Sequence, residues 1–374
     1  RTLDLRTAPE GAPIRDSFKR GFEYSDCWVD DARLVVINAL DAAERGAKVF
    51  TRTACTAARR EGGLWVVEMR DVRTGIKTSV RARALINAAG PWVNDIVNRV
   101  AGQNSRRNVR LVKGSHIVVP KFWEGRQAYL VQNSDKRVIF INPYQNDLAL
   151  IGTTDIPYEG RPEDVTADES EIDYLIRVVN RYFKRGLARN DVVYSFSGVR
   201  PLYDDNADNP SAVTRDYIFE LDAPEARAPL LSVFGGKITT FRKLAEHALD
   251  KMGKPWTAKA HLPGGDIANA DFEQFLGDLA NEYPWMPASL LKHYGRLYGT
   301  RTPSVVGGAR SLAALGRCFG KDFFEREANY LFEQEWAQDA ADILERRTKH
   351  GLHLSAEEKS AFEHWCASRQ ARAG

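Results

Sequence analysis

One stretch restricts the fold more than any other. Leu230-Leu231-Ser232-Val233-Phe234 is a short apolar, β-prone run, followed by Gly235-Gly236, Lys237 and the pair Thr239-Thr240. From Phe241 the apolar residues Phe241, Leu244, Ala245, Ala248, Leu249 and Met252 recur at helical spacing, and Gly253 closes the stripe. The order is strand, glycine turn, helix, with the threonines placed to cap the helix. A buried strand feeding a helix in this way belongs to a parallel sheet. Its carboxyl edge receives anions or polar cofactor edges, because backbone N–H groups and the positive helix end point there. A nucleotide-cleaving phosphate loop is excluded: it needs glycine where Leu231 stands and Ser or Thr where Ile238 stands. Alone, the turn fits an ordinary strand-to-helix connection with a solvated lysine better than a ligand site.

The same order occurs a second time. The apolar strand Ala84–Ala89 runs into Gly90-Pro91-Trp92, where proline suits a helix start, and Val93, Ile96, Val97 and Val100 supply a buried face up to Gly102. Two such turns can face one ligand at one sheet edge. Before them, Asp30-Asp31 cap a helix with the stripe Leu34, Ile37 and Leu40, ended by Gly46. Ala47–Thr53 alternates as a strand, and runs at 54–60, 64–70 and 76–81, separated by Glu61-Gly62-Gly63 and Thr74-Gly75, form a β-meander.

From Val109 to Val233 the pattern is mainly β. Runs at 110–119, 128–132, 137–142 and 148–153 predict a broad antiparallel sheet. Thr166-x-x-Glu169 reads as the capping box of a helix whose stripe is Ile172, Leu175, Ile176, Val179 and Phe183. Strands follow at 192–196, 212–215, 217–221 and 230–234. From about Gly264 the chain reads as helical, including a long 323–346 segment whose dense charges suggest a solvated face. Residues 1–14 read as irregular and polar, so an amino-terminal portion is expected to be missing.

The 374 residues suffice for two or three domains, and the formal charge of +3, with Lys and Arg spread along the chain, implies no nucleic acid partner. No apolar run approaches the roughly 20 residues of a membrane-spanning helix. Cys27, Cys55, Cys318 and Cys366 show neither CxxC pairing nor zinc spacing, so no metal site is expected and the thiols read as reduced, in a cytosolic setting.

Several polar residues in the β region stand beside glycine or proline: Lys113-Gly114-Ser115-His116, Thr153-Thr154-Asp155, Ser197-Gly198-Val199-Arg200-Pro201 and Thr214-Arg215-Asp216-Tyr217. Arg200 is expected at a strand end, with Pro201 fixing the backbone. Each has a plainer reading: a structural strand histidine, a surface pair between Arg215 and Asp216, a strand-capping Arg200. Spacing alone supports a cofactor site beside a basic substrate pocket.

These words, with Lys19-Arg20-Gly21-Phe22-Glu23-Tyr24-Ser25-Asp26-Cys27-Trp28, Ile151-Gly152-Thr153-Thr154-Asp155 and Ser232-Val233-Phe234-Gly235-Gly236-Lys237, closely resemble the FAD-dependent respiratory (aerobic) glycerol-3-phosphate dehydrogenases, in that family's order from about Ser17 to about Trp365. The family's opening Gly-x-Gly-x-x-Gly strand–turn–helix and its early substrate-binding arginine have no counterpart here. The chain therefore resembles the family's protein without its amino-terminal part, which leaves FAD either bound without that part or lost with it.

The resemblance implies an α/β and α+β fold: residues 1–105 as the remainder of a Rossmann-like FAD-binding domain with its meander, 106–229 as a mostly antiparallel substrate sheet, 230–260 returning to the FAD domain, and 261–374 as an all-α domain. It implies oxidation of sn-glycerol 3-phosphate to dihydroxyacetone phosphate, with hydride passing to the flavin and electrons to a membrane quinone. The enzyme would be cytoplasmic and peripherally attached to the inner face of the cell membrane, with a homodimer among its assemblies. The basic and aromatic residues Lys292, His293, Tyr294, Arg296 and Tyr298 fit such attachment or an ordinary solvated helix. Arg200 is assigned to the phosphate, with Arg215 sharing it or lying near the hydroxyl end, and Thr154 lines the substrate. Paired guanidinium forks suit a phosphomonoester better than lysines do. His116 is the base, assisted by Arg215, because an imidazole titrates near 6.5 whereas a guanidinium stays charged above about 12. Lys237 lies near the reacting carbon, where its charge stabilises the reduced flavin. Ala89, Gly90, Gly235, Gly236, Lys237, Thr239 and Thr240 line the cofactor. Two alternatives stay open: an oxidase of the same substrate that uses oxygen, and a flavin-free structural fragment.

Overall fold

The computed structural model describes residues 1–204, 216–250 and 254–373. They form two compact units, residues 1–26 with 52–255 and residues 27–51 with 256–374.

In the first unit, Leu230–Gly235 pairs in parallel with Leu85–Asn87 and antiparallel with Tyr217–Asp222, so both glycine turns leave neighbouring parallel strands at the same end. The meander Thr53–Glu61, Leu64–Asp71, Lys77–Ala82 forms its own antiparallel sheet. Trp65 at its centre is fully buried and its indole N–H donates to the Pro229 carbonyl at 2.9 Å, which fixes the meander against the strand that begins at Leu230. Arg60 lies over the Trp65 ring and pairs with Asp222 at 2.6 Å.

The larger, six-stranded antiparallel sheet has Val109–Pro120 at its centre, paired on one side with Tyr194–Tyr203 and on the other with Leu148–Gly152 and Ile156–Pro157; Val138–Tyr144 and Tyr129–Gln132 complete it. Strand alternation gives it two unlike faces. Ile117, Val119, Ile139, Ile141, Ala149 and Ile151 pack under the helix Glu169–Tyr182, against Leu175, Val179 and Phe183. The opposite face carries His116, Phe196, Phe140 and Leu130, in register across Gly152, and Phe196, Phe140 and Leu130 remain exposed.

The second unit packs the helices Phe272–Glu282, Ala288–Tyr298, Thr302–Val306, Glu325–Gln334 and Ala356–Ala373 around Tyr294, Phe323, Leu331 and Phe362, with the short ribbon Cys318–Gly320/Phe323–Phe324. The helix Asp31–Glu44 joins it through Arg33, which pairs with Glu335 and lies over the Tyr298 ring.

Several sequence expectations need correction. Residues 47–52 form no strand: the chain turns after Gly46, Arg52 takes a positive φ of 54°, and the strand starts at Thr53. The capping box is Asp168/Glu171, not Thr166/Glu169: Asp168 Oδ1 accepts from the Glu171 N–H at 3.0 Å and Glu171 Oε2 accepts from the Asp168 N–H at 3.1 Å. Arg200 lies within a strand that continues through Pro201 to Tyr203. Thr240 occupies the N-cap of Phe241–Leu249, yet its hydroxyl donates to the Lys237 carbonyl. Thr2–Asp4 is a strand paired with Arg20–Phe22, and Ile14 is buried beside Phe183. The 323–346 segment is broken, its helix ending at Gln334, and Glu327, Glu335 and Asp342 are buried rather than solvated. Tyr294 and Tyr298 face the core of their unit. The strand expected at 212–215 and the helix end at Met252-Gly253 lie outside the described residues.

Candidate active site

Two of the expected residues converge on one peptide. The His116 ring lies so close over Gly152 that a Cβ there would come within 2.1 Å of the imidazole Cδ2. Phe196, directly across the strand pair, stacks on the imidazole with centroids 5.1 Å apart and planes 9° apart. Arg200 approaches from the strand Tyr194–Tyr203. Its Nη2 donates to Thr153 Oγ1 at 3.0 Å, and its Nη1 donates to Asp155 Oδ1 at 2.8 Å. The guanidinium crosses Gly114, where a Cβ would lie 2.5 Å from Nη2, and the opposing Gly198 leaves open space. Imidazole and guanidinium therefore meet at adjacent residues, Gly152 and Thr153, above a floor of bare glycines.

Thr154 belongs to the other face. It is buried, its hydroxyl donates to Glu171 Oε1 at 2.7 Å, and it accepts from the Ser115 N–H at 2.9 Å. Glu171 also accepts from Ser115 Oγ at 2.7 Å and pairs with Lys113 at 2.6 Å. Burial lowers the Lys113 pKa, but hydrogen bonds from its ammonium to Glu171 and Asp168 outweigh that and hold it above the ordinary lysine value. The sequence offered one clue to Glu171: it is the third residue after a capping aspartate.

The glycine turns flank the same strand. A Cβ on Gly90 (φ 55°) would lie 3.8 Å from Pro201 Cγ, and one on Gly235 (φ 78°) would lie 3.2 Å from the Tyr203 nitrogen and 2.6 Å from the Asp216 carbonyl oxygen. Asn87 braces the first turn, donating to the Val93 carbonyl at 2.9 Å and accepting from the Ala89 N–H at 3.3 Å. Lys237 and Thr239 are exposed and Thr240 is half-buried where the second turn opens its helix. Arg215 lies outside the described residues.

In the helical unit, His293, Glu327 and His350 bring metal-capable atoms within 4.8 Å of one another. The carboxylate already accepts from Tyr298 and His293 at 2.7 Å on one oxygen and is 3.3 Å from His350 Nε2 on the other.

A parallel strand pair ending in two glycine turns, beside an antiparallel sheet with a histidine and an arginine on its open face, is an arrangement that can receive a polar cofactor edge next to an anionic ligand. Comparison with known proteins agrees. Residues 1–237 match the FAD dependent oxidoreductase family, and residues 255–367 match the C-terminal domain of alpha-glycerophosphate oxidase. The chain is 63% identical to D-erythritol 1-phosphate dehydrogenase of Brucella abortus, over 98% of this chain and 74% of that protein. It is 48% identical to aerobic glycerol-3-phosphate dehydrogenase of Escherichia coli, over 94% of this chain and 72% of that protein. The fold matches a glycerol-3-phosphate dehydrogenase from Bacillus halodurans complexed with FAD, with a TM-score of 0.79 and 24% identity over 98% of this chain and 78% of that one. The chain belongs to the family of FAD-dependent glycerol-3-phosphate dehydrogenases.

FAD is the family's cofactor, and the residues present suit its ring end. Gly235 and Gly236 hold φ of 78° and 104°, which side-chain-bearing residues rarely adopt, so the turn presents bare backbone.

Proposed function

We propose that this chain oxidises a secondary hydroxyl of a short polyol monophosphate. When bound, FAD supplies the two-electron oxidant. Arg200, with Arg215, holds the phosphate; His116 takes the hydroxyl proton; Lys237 places positive charge beside the reacting carbon. Ala89, Gly90, Gly235, Gly236, Lys237, Thr239 and Thr240 line the flavin. The strands that end in the glycine turns serve the cofactor and the antiparallel sheet the substrate, while residues 27–51 belong with the helical unit rather than with the cofactor part. The observation that carries this reading is the convergence of an imidazole and a guanidinium at Gly152-Thr153, with both glycine turns against Pro201 and Tyr203 at the end of the strand that carries Arg200. A base and a phosphate fork within one short ligand's reach are what the reaction requires.

The motifs lead to glycerol 3-phosphate, with dihydroxyacetone phosphate as product. D-Erythritol 1-phosphate is the second reading, favoured by 63% identity to an enzyme of that name against 48% to the glycerol-3-phosphate enzyme. Steady-state kinetics of the flavin-loaded protein with both phosphates and with glycerol tests this. Both phosphates are expected to reduce the flavin, D-erythritol 1-phosphate with the higher kcat/KM, and glycerol is expected to fail. Flavin left oxidised by both phosphates would overturn the proposal.

A membrane quinone is the proposed acceptor, at the inner face of the cell membrane, with oxygen as the alternative. Among the described residues no helix is long and apolar enough to cross a membrane. Quinone reduction without hydrogen peroxide release is the expected outcome, and stoichiometric peroxide would assign an oxidase.

A further inference from the structure

We infer that Glu171 is a positioning residue for the Arg200 guanidinium, acting through Thr154 across the sheet; this rests on the proposed phosphate role of Arg200. Glu171 is 2% exposed, and its two oxygens serve four donors. Oε1 accepts from Ser115 Oγ and Thr154 Oγ1, each at 2.7 Å, and Oε2 takes the Lys113 ammonium at 2.6 Å and the Asp168 N–H at 3.1 Å. Thr154 is thereby tied to the helix Glu169–Tyr182 by its hydroxyl proton and to the strand Val109–Pro120 by its oxygen, which accepts from the Ser115 N–H.

The residues on either side of Thr154 work on the opposite face. Thr153 Oγ1 and Asp155 Oδ1 each take one end of the Arg200 fork, at 3.0 and 2.8 Å. Residues 153–155 link the strands Leu148–Gly152 and Ile156–Pro157, and the Thr154 side chain goes to Glu171 while the side chains on either side of it go to Arg200. Pinning Thr154 from behind therefore fixes both partners of the guanidinium, and displacing it moves both. No other titratable group bonds to the Thr154 hydroxyl among the described residues.

Only a carboxylate fits at this node. A glutamine would turn an N–H₂ donor toward the Lys113 ammonium or the Thr154 and Ser115 hydroxyls, so at least one side of the node would lose its acceptor. Thr154→Val cuts the same link while leaving Glu171 and Lys113 paired, and Thr154→Ser retains it.

The test is a double-mutant cycle on the flavin-loaded enzyme, using whichever of D-erythritol 1-phosphate and glycerol 3-phosphate it turns over faster. Glu171→Gln and Thr154→Val are each expected to raise KM about tenfold, the scale of a displaced binding group, with kcat within about threefold. Thr154→Ser should stay within about twofold of the parent. In an Arg200→Ala background, Glu171→Gln and Thr154→Val should change KM less than twofold, because the group they position is gone. Equal factors with and without Arg200, or an unchanged KM in the parent, would overturn the inference. An Arg200→Ala KM within threefold of the parent would instead remove the phosphate role itself, and the inference with it. If Glu171→Gln fails to fold, the Thr154 pair carries the test.

Discussion

At the scale of single residues the site depends on what is absent. Gly152 and Gly114 carry no side chain, and the vacated space is occupied by His116 and by the Arg200 guanidinium. Gly152→Ala would drive a methyl group against the imidazole from 2.1 Å, so the ring must leave its stack on Phe196. His116→Ala is expected to lower kcat about a hundredfold or more with flavin retained, the usual contribution of a general base. Gly152→Ala should approach that loss. Normal turnover in either variant would exclude His116 as the base. Arg200→Ala should reduce kcat/KM by about 2–5 kcal/mol, as when one partner of a desolvated charge pair is removed. A loss below threefold would take Arg200 off the phosphate.

At the scale of elements, what the sequence made legible was set by period and by local chemistry. The meander, the long antiparallel strands and the helices Asp31–Glu44 and Glu169–Tyr182 follow from alternation, glycine turns and caps, all of which act over a few residues. The cap of Glu169–Tyr182 differs from the sequence expectation because two capping residues, Thr166 and Asp168, stand two apart before the helix, and only Asp168 meets the N–H of a glutamate three residues on that bonds back to it. The broken 323–346 segment was illegible for a similar reason. Its charges pair with distant residues: Glu335 with Arg33 in a buried bridge, Glu327 with two histidines. Of the site, His116 and Arg200 were marked by neighbouring glycine and proline. Thr153-Thr154-Asp155 follows a glycine as well, whereas Glu171 carries no such mark, since its role arises from the packing of its helix against the sheet. The second glycine turn carries its own prediction. Gly235→Ala needs φ 78° and puts a Cβ 2.6 Å from the Asp216 carbonyl, so it should destabilise by more than about 1 kcal/mol and reduce bound flavin. Thermal melting and flavin absorbance per chain measure both, and an unchanged Tm would mean that the turn relaxes freely.

At the scale of the whole molecule, each unit has its own core, and in the helical one that core encloses charge. Glu327 is fully buried. Burial would raise its pKa, but His293 and His350 oppose this more strongly and hold the carboxyl well below the usual range. Burial pushes His350 down, and Glu327 and the hydrogen bond to it do not fully compensate. His293 is raised, because the Glu327 charge and hydrogen bond outweigh burial. These shifts fix the direction of the pH dependence. An unfolded histidine titrates near 6.5. Below that pH the unfolded chain gains a proton at His350 that the folded one refuses, so stability falls on acidification, with Glu327 adding to the loss below about 4.5. Above about 6.5 the unfolded chain loses the proton that folded His293 keeps, so stability falls again as pH rises toward the folded His293 value. The contribution of this cluster should therefore peak near 6.5, each limb sloping by up to about 1.4 kcal/mol per pH unit. Gln at either histidine keeps an N–H for Glu327 without titrating. His350→Gln should flatten the acid limb between pH 6.5 and 5, and His293→Gln the alkaline limb, in urea unfolding curves taken across that range. Limbs that keep their slopes in both variants would show that the acid sensitivity of the molecule arises elsewhere.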